Sequence, residues 1–142
     1  MLVNIPPKIL KFGLAGVINT AVDWALYFAM VHTLLPGNEA IAKLAGSVGG
    51  VTSAFALNAG WVFAAAFAMQ CNQYQTTFGK LRFIGAKYMQ TVLVYTAGML
   101  LNLVVFTAAR YVATPELVAL LLATACSFIV NFALLNRFVF VR

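Results

Sequence analysis

Apolar residues in this chain come in long unbroken runs parted by short polar turns, without the two-residue alternation that marks strands. The first run covers about 12–32 and closes at Pro36 and Gly37, in a turn from Leu35 to Glu39. The second covers about 42–66 and the third about 88–109. The fourth covers about 117–137, after a turn at Thr114, Pro115 and Glu116 in which Pro115 suits the start of a helix. Each is long enough to cross a bilayer, because about 20 helical residues rising about 1.5 Å each match a hydrocarbon core of about 30 Å. Residues 70–87 form the longest polar stretch and read as a loop with room for a short interfacial helix. Pro6 and Pro7 should keep the first residues out of the helix and leave Lys8 and Lys11 at the interface. The first run is longer than the apolar core of a secretory signal and three more runs follow it, so it is expected to stay in the mature protein.

Polar positions inside the runs change this picture. Asp23 lies about 16 Å from Phe12 along a helix, close to the midplane, where a charge costs about 2.5 to 3.5 kcal/mol. Gly16, Asn19, Thr20 and Asp23 recur at three- and four-residue steps and share one face. In the second run Gly46 and Gly50 stand in G-x-x-x-G spacing with Gly49 and Ser53 beside them, a surface that another helix can approach closely. Asn58 follows, with Trp61 and Phe63 placed to anchor at an interface. Thr91, Tyr95, Gly98 and Asn102 make a similar stripe in the third run, and Thr124, Ser127, Asn131 and Asn136 punctuate the fourth. The plain reading of Asn102 and Asn131 is glue between helices, at about 0.6 kcal/mol each. For Asp23 a functional reading is stronger, since ionisable groups at that depth mark pathways. His32 reads as an interfacial residue at the far end of the first span.

Composition then fixes the class. With 63% hydrophobic and 8% charged residues, the chain has too little polar surface for a soluble domain. The expected architecture is an all-α membrane protein with four transmembrane helices in a single domain over 1–142. The net charge of +6 comes largely from Lys8, Lys11, Lys80, Arg82, Lys87, Arg137 and Arg142, all flanking apolar runs. There they meet lipid phosphates and set topology, so no nucleic acid is expected as a partner. The opposite turns carry Lys43 and Arg110, offset by Glu39 and Glu116. That bias puts both termini in the cytoplasm and, in a bacterium, the protein in the inner membrane. Cys71 and Cys126 lack metal or redox spacing, and Cys126 reads as a small hydrophobe. No nucleophile–base pair, metal cluster or phosphate loop is evident, so neither an enzyme nor a cofactor is expected. With four spans a homodimer would enlarge the available surface, and the Gly46 and Gly50 face is its candidate interface.

A weak internal repeat divides the chain. Lys11-Phe12 answers Arg82-Phe83, Asn19-Thr20 answers Gln90-Thr91, and Trp61-Val62-Phe63 answers Phe138-Val139-Phe140. Each half holds two spans, so the expected bundle is built from two parallel two-helix repeats with a polar path between them. Asp23 has Val94 as its counterpart, which makes that path asymmetric.

KFGLAGVINTAVDWALYF, ALNAGWVF and NFALLNRFVF, in this order along nearly the whole chain, resemble the GtrA-like family of small four-span membrane proteins. The resemblance implies translocation of polyprenyl-phosphate-linked sugars across the cytoplasmic membrane for cell-surface glycans, beside a membrane glycosyltransferase. It implies roles in binding for Asn19, Asp23, Asn58, Trp61, Asn131, Asn136 and Arg137. Ala59 and Gly60 stand where the family tends to carry basic residues, and Phe138 or Val139 where a Trp is common, which shifts weight to Arg137 and the central loop.

The residues fit such a substrate in their own right. Lys11, Arg82, Lys87 and Arg137 can meet a phosphate at the headgroup level. A sugar crossing hydrocarbon needs partners for its hydroxyls, which cost several kcal/mol each when unpaired. Asn136, Asn58, Asn131, Gln90, Asn19, Asp23 and Asn102 form a ladder through the membrane by span counting. Two other classes remain open: a non-transporting partner that anchors a glycosyltransferase, and a proton-coupled exporter of the small-multidrug-resistance type with Asp23 as its exchange site.

Overall fold

The computed structural model describes residues 7–34, 36–113 and 115–140. Expectations resting on Pro6, Leu35, Thr114 and Arg142 lie outside the described residues, as do the side chains of Glu39, Arg110 and Glu116. Helix accounts for nearly all of them, and no strand occurs among them. The chain is an all-α membrane protein. Three helical stretches are long and apolar enough to cross a membrane: Pro7–Leu34, Thr77–Ala109 and Leu121–Phe140. A fourth, Ile41–Val62, qualifies together with Ala64–Cys71, from which it is bent by 93°. Two compact units divide the chain, Met1–Tyr74 and Gln75–Arg142.

In the first unit α1 (Pro7–Ala29) continues through a wider π segment, Met30–Leu34. Pro7 is helical, as a proline in the first turn can be because it loses no intrahelical bond there. Gly37, at φ +83, takes the left-handed conformation that reverses the chain. α2 (Glu39–Leu57) then runs back along α1 and ends in a second π segment, Asn58–Val62. There the Phe63 amide donates to the Asn58 carbonyl at 2.8 Å, a five-residue step. The wider turn breaks the ladder, and the bend follows at Phe63. The expected span of 42–66 therefore stops near Val62, and Ala64–Cys71 form a separate helix, α3.

The second unit pairs α4 (Thr77–Tyr111) with α5 (Glu116–Leu134), which ends in a third π segment, Leu135–Phe140. α4 is 35 residues long, about 52 Å, and replaces most of the loop expected over 70–87. It starts at Thr77 because Thr76 caps it: the Thr76 hydroxyl oxygen accepts the Gly79 amide at 3.1 Å. Its length exceeds the hydrocarbon core, which leaves room for the turns carrying Lys80 and Arg82 to reach the headgroup layer.

Small residues fill both helix seams. Ala42 and Ala54 in one unit and Ala119 and Ala123 in the other are fully buried, while Leu14, Val17, Trp24, Leu44, Leu93 and Leu103 lie exposed. Larger groups are buried as well, Phe12, Phe63 and Phe83 and, in the last π segment, Leu135, Val139 and Phe140, while the exposed leucines suit a lipid solvent that offers no hydrophobic drive for burying them.

Candidate functional site

The glycines of α2 create the site in the first unit. A Cβ on Gly46 would come within 2.6 Å of the Asp23 carbonyl oxygen and 2.7 Å of Asp23 Oδ1, and one on Gly50 within 3.0 Å of Asn19 Oδ1. A side chain on Gly49 would overlap Leu26. Missing side chains on α2 thus make the space into which α1 turns Asn19 and Asp23. This occupies the face expected to serve a homodimer: Gly46 and Gly50 pack against α1 of the same unit.

Asp23 is not a lone charge. Lys43, four residues into α2, places Nζ 2.7 Å from Asp23 Oδ2, with side-chain exposures of 53% and 22% respectively. The pair offsets the insertion cost expected for an isolated carboxylate. Its other oxygen, Oδ1, is buried and accepts no hydrogen bond. Ser53 donates to the Gly50 carbonyl at 3.0 Å, and its hydroxyl lies 3.5 Å from Asn19 Oδ1. Asn19, Asp23, Lys43 and Ser53 form one polar seam between α1 and α2. Thr20 stands outside it, exposed and bonded to its own helix at the Gly16 carbonyl. Asn58 is fully buried and donates from Nδ2 to the Ala54 carbonyl at 2.7 Å, so it supports the π segment.

Cations and aromatic rings gather at the opposite end of this unit. Lys8 Nζ lies 4.4 Å from the Phe63 ring centre, and Lys11 Nζ 5.8 Å from that of Trp61. Phe63, expected at an interface, is buried, whereas Trp61 keeps 38% of its surface open. Trp61 and Lys11 therefore offer an aromatic face and a cation together. His32 is exposed and stacks on Phe28 with ring centres 6.2 Å apart.

Polar groups in the second unit are arranged differently. Asn131 of α5 occupies the space left by Gly98 of α4, with Oδ1 buried and without a donor. Ser127 donates at 3.0 Å to the Gly98 carbonyl and lies 2.9 Å from that of Ala123, so one hydroxyl is shared across the helix pair. In the first unit Asn19 and Asp23 on the leading helix face glycines on the following one; here Asn131 on the following helix faces a glycine on the leading one. Lys87, assigned by sequence to the cationic rim, is buried and donates to the Val139 carbonyl, with its ammonium 5.5 Å from the Phe83 ring centre. The Thr91 hydroxyl donates to the Lys87 carbonyl at 2.9 Å. Arg82 and Gln90 are exposed, Asn136 is half-buried, and exposed Arg137 stands 5.5 Å from the Phe138 ring centre.

Lys87→Met is expected to lower the thermal midpoint in detergent, because the Val139 carbonyl loses a charged donor worth about 1.5 to 3 kcal/mol. An unchanged midpoint with weakened binding of phosphate lipid would instead return Lys87 to the rim.

Sequence reasoning found Asn19 and Asp23 but missed their partner. Lys43 shares a helical stripe with Gly46 and Gly50, at steps of three and four residues, and that spacing was the available signal. The family described as GtrA/DPMS, transmembrane domain, matches residues 11–140. No curated protein matches the chain. With that match running from the first helix to the last π segment, the chain belongs to the GtrA/DPMS transmembrane-domain family.

Proposed function

We propose that the protein translocates a polyprenyl-phosphate-linked sugar across the cytoplasmic membrane for synthesis or modification of cell-surface polysaccharide. Its termini face the cytoplasm, it performs no covalent chemistry, and it works beside a membrane glycosyltransferase that makes the lipid-linked sugar. Family membership supports the substrate class. The observation that carries the reading is the polar seam of Asn19, Asp23, Lys43 and Ser53, held between two helices whose outer surfaces are apolar. Hydroxyl groups passing along it find polar partners, the part-exposed Lys43–Asp23 pair among them, in place of hydrocarbon. Trp61 with Lys11 supplies a platform for the sugar phosphate at the basic end of the first unit.

An exporter that exchanges a proton for a cation is disfavoured, because Lys43 already occupies its would-be exchange carboxylate. Purified protein in liposomes, loaded with a polyprenyl-phosphate sugar and challenged with a membrane-impermeant probe, tests the proposal. The expected result is exposure of the sugar faster than in empty liposomes. Equal rates, with the protein copurifying with a glycosyltransferase, would replace translocation by the partner-subunit role.

A further inference from the structure

The end of the first unit remote from Lys8 and Lys11 holds a cation for which the proposed path gives no use beyond neutralising Asp23. Lys43 spends one of its three donors on Asp23 Oδ2, and over half of its side-chain surface is open. The carboxylate is held through a single oxygen, its second oxygen having no donor. A pair with excellent geometry would use both oxygens and satisfy the remaining lone pairs; this one does neither. Lys43 is therefore bound on one side and accessible on the other, opposite an exchangeable partner.

We propose that Lys43 is a phosphate receptor at the end of the path away from the basic rim, and that it exchanges Asp23 for the phosphate of the carried prenyl lipid. This rests on the translocase reading. Phosphate oxygens offer a lysine the same charge-assisted bond as a carboxylate, so the exchange replaces one ion pair by another. The carboxylate that Lys43 leaves behind sits against Gly46 and Gly50, facing Lys43 from α2 and flanked by Asn19 and Tyr27 on α1. Asp23 thus competes with the lipid for one ammonium. It keeps the cation neutralised while the path is empty and drives the phosphate off after transfer.

Competition makes a prediction that a passive structural ion pair does not. In detergent-solubilised protein, Asp23→Asn should bind a short-chain prenyl phosphate about tenfold more tightly than wild type, the worth of one charge-assisted bond. The gain should vanish in the Asp23→Asn, Lys43→Gln double variant. Unchanged affinity in Asp23→Asn, or a gain that survives loss of Lys43, would overturn the proposal. Competition by phosphatidylglycerol or inorganic phosphate at equal concentration would also overturn it, by making the occupant a bulk headgroup or a free anion. If Asp23→Asn does not fold, Lys43→Arg should retain wild-type affinity and Lys43→Gln should lose at least fivefold; equal binding by both sinks the idea. Because binding is read without flipping, failure of translocation in liposomes and failure of this site are separate results.

Discussion

Asp23→Asn lowers the rate of sugar-lipid flipping at least tenfold in liposomes while the protein stays folded: this is the largest effect on activity expected of any single change. The substitution keeps the shape of the side chain and removes its charge. Lys43 then has no counter-ion in the seam, and Oδ1 or the amide nitrogen must take the buried position that holds no partner. A tenfold loss corresponds to about 1.4 kcal/mol in the barrier, close to the lower end of the range of about 1.5 to 3 kcal/mol that one charged hydrogen bond is worth. Folding survives because Lys43 is more than half exposed and its long stem can carry the ammonium toward the interface. Slower flipping with tighter phosphate binding would mark Asp23 as the group that releases the lipid. Flipping at the wild-type rate would remove the α1–α2 seam from the path.

The second large effect concerns stability. Gly46→Ala should lower the thermal midpoint strongly, with a cost of about 1 to 3 kcal/mol, because its Cβ would stand 2.6 Å from the Asp23 backbone oxygen. A backbone atom cannot swing aside as a flexible side chain could, so α1 and α2 must part and the Lys43 bridge must lengthen. Gly16→Ala and Gly85→Ala provide the contrast. Neither position has a neighbour within 4 Å of an added Cβ, and alanine gains up to about 1 kcal/mol of helix propensity over glycine. Size-exclusion profiles after heating in detergent would rank the three variants. Gly46→Ala melting with Gly16→Ala would mean that α1 and α2 can part at Gly46 without cost.

The alternation of spans and turns was legible because lipid enforces it. A segment without water must satisfy every backbone group within itself, so a long apolar run can only be a helix, and its length states that it crosses. The glycine face at Gly46 and Gly50 was legible for a related reason: without a hydrophobic drive between helices, close approach is what holds them, and only small residues allow it. Which helix would use that face was not legible, since spacing along α2 says nothing about its partner. The homodimer expectation went to a second copy, and α1 of the same unit is where the contact lies. Residues 77–87 misled by their polarity, because a helix longer than the hydrocarbon core can carry basic residues in its first turns without interruption.

From its sequence alone this protein is determined to be a helical membrane protein with basic flanks and an acidic residue deep in its first span. Those properties follow from composition and period, which act on each segment separately. Tertiary structure alone decided that Lys43 neutralises Asp23, that Lys87 turns inward to the Val139 carbonyl, and that the second span ends in a bend after Asn58–Val62. Each depends on the register between helices or on a widened turn within one. A side chain's partner across a seam is set by where two helices come to rest against each other, and no pattern along either one contains that position.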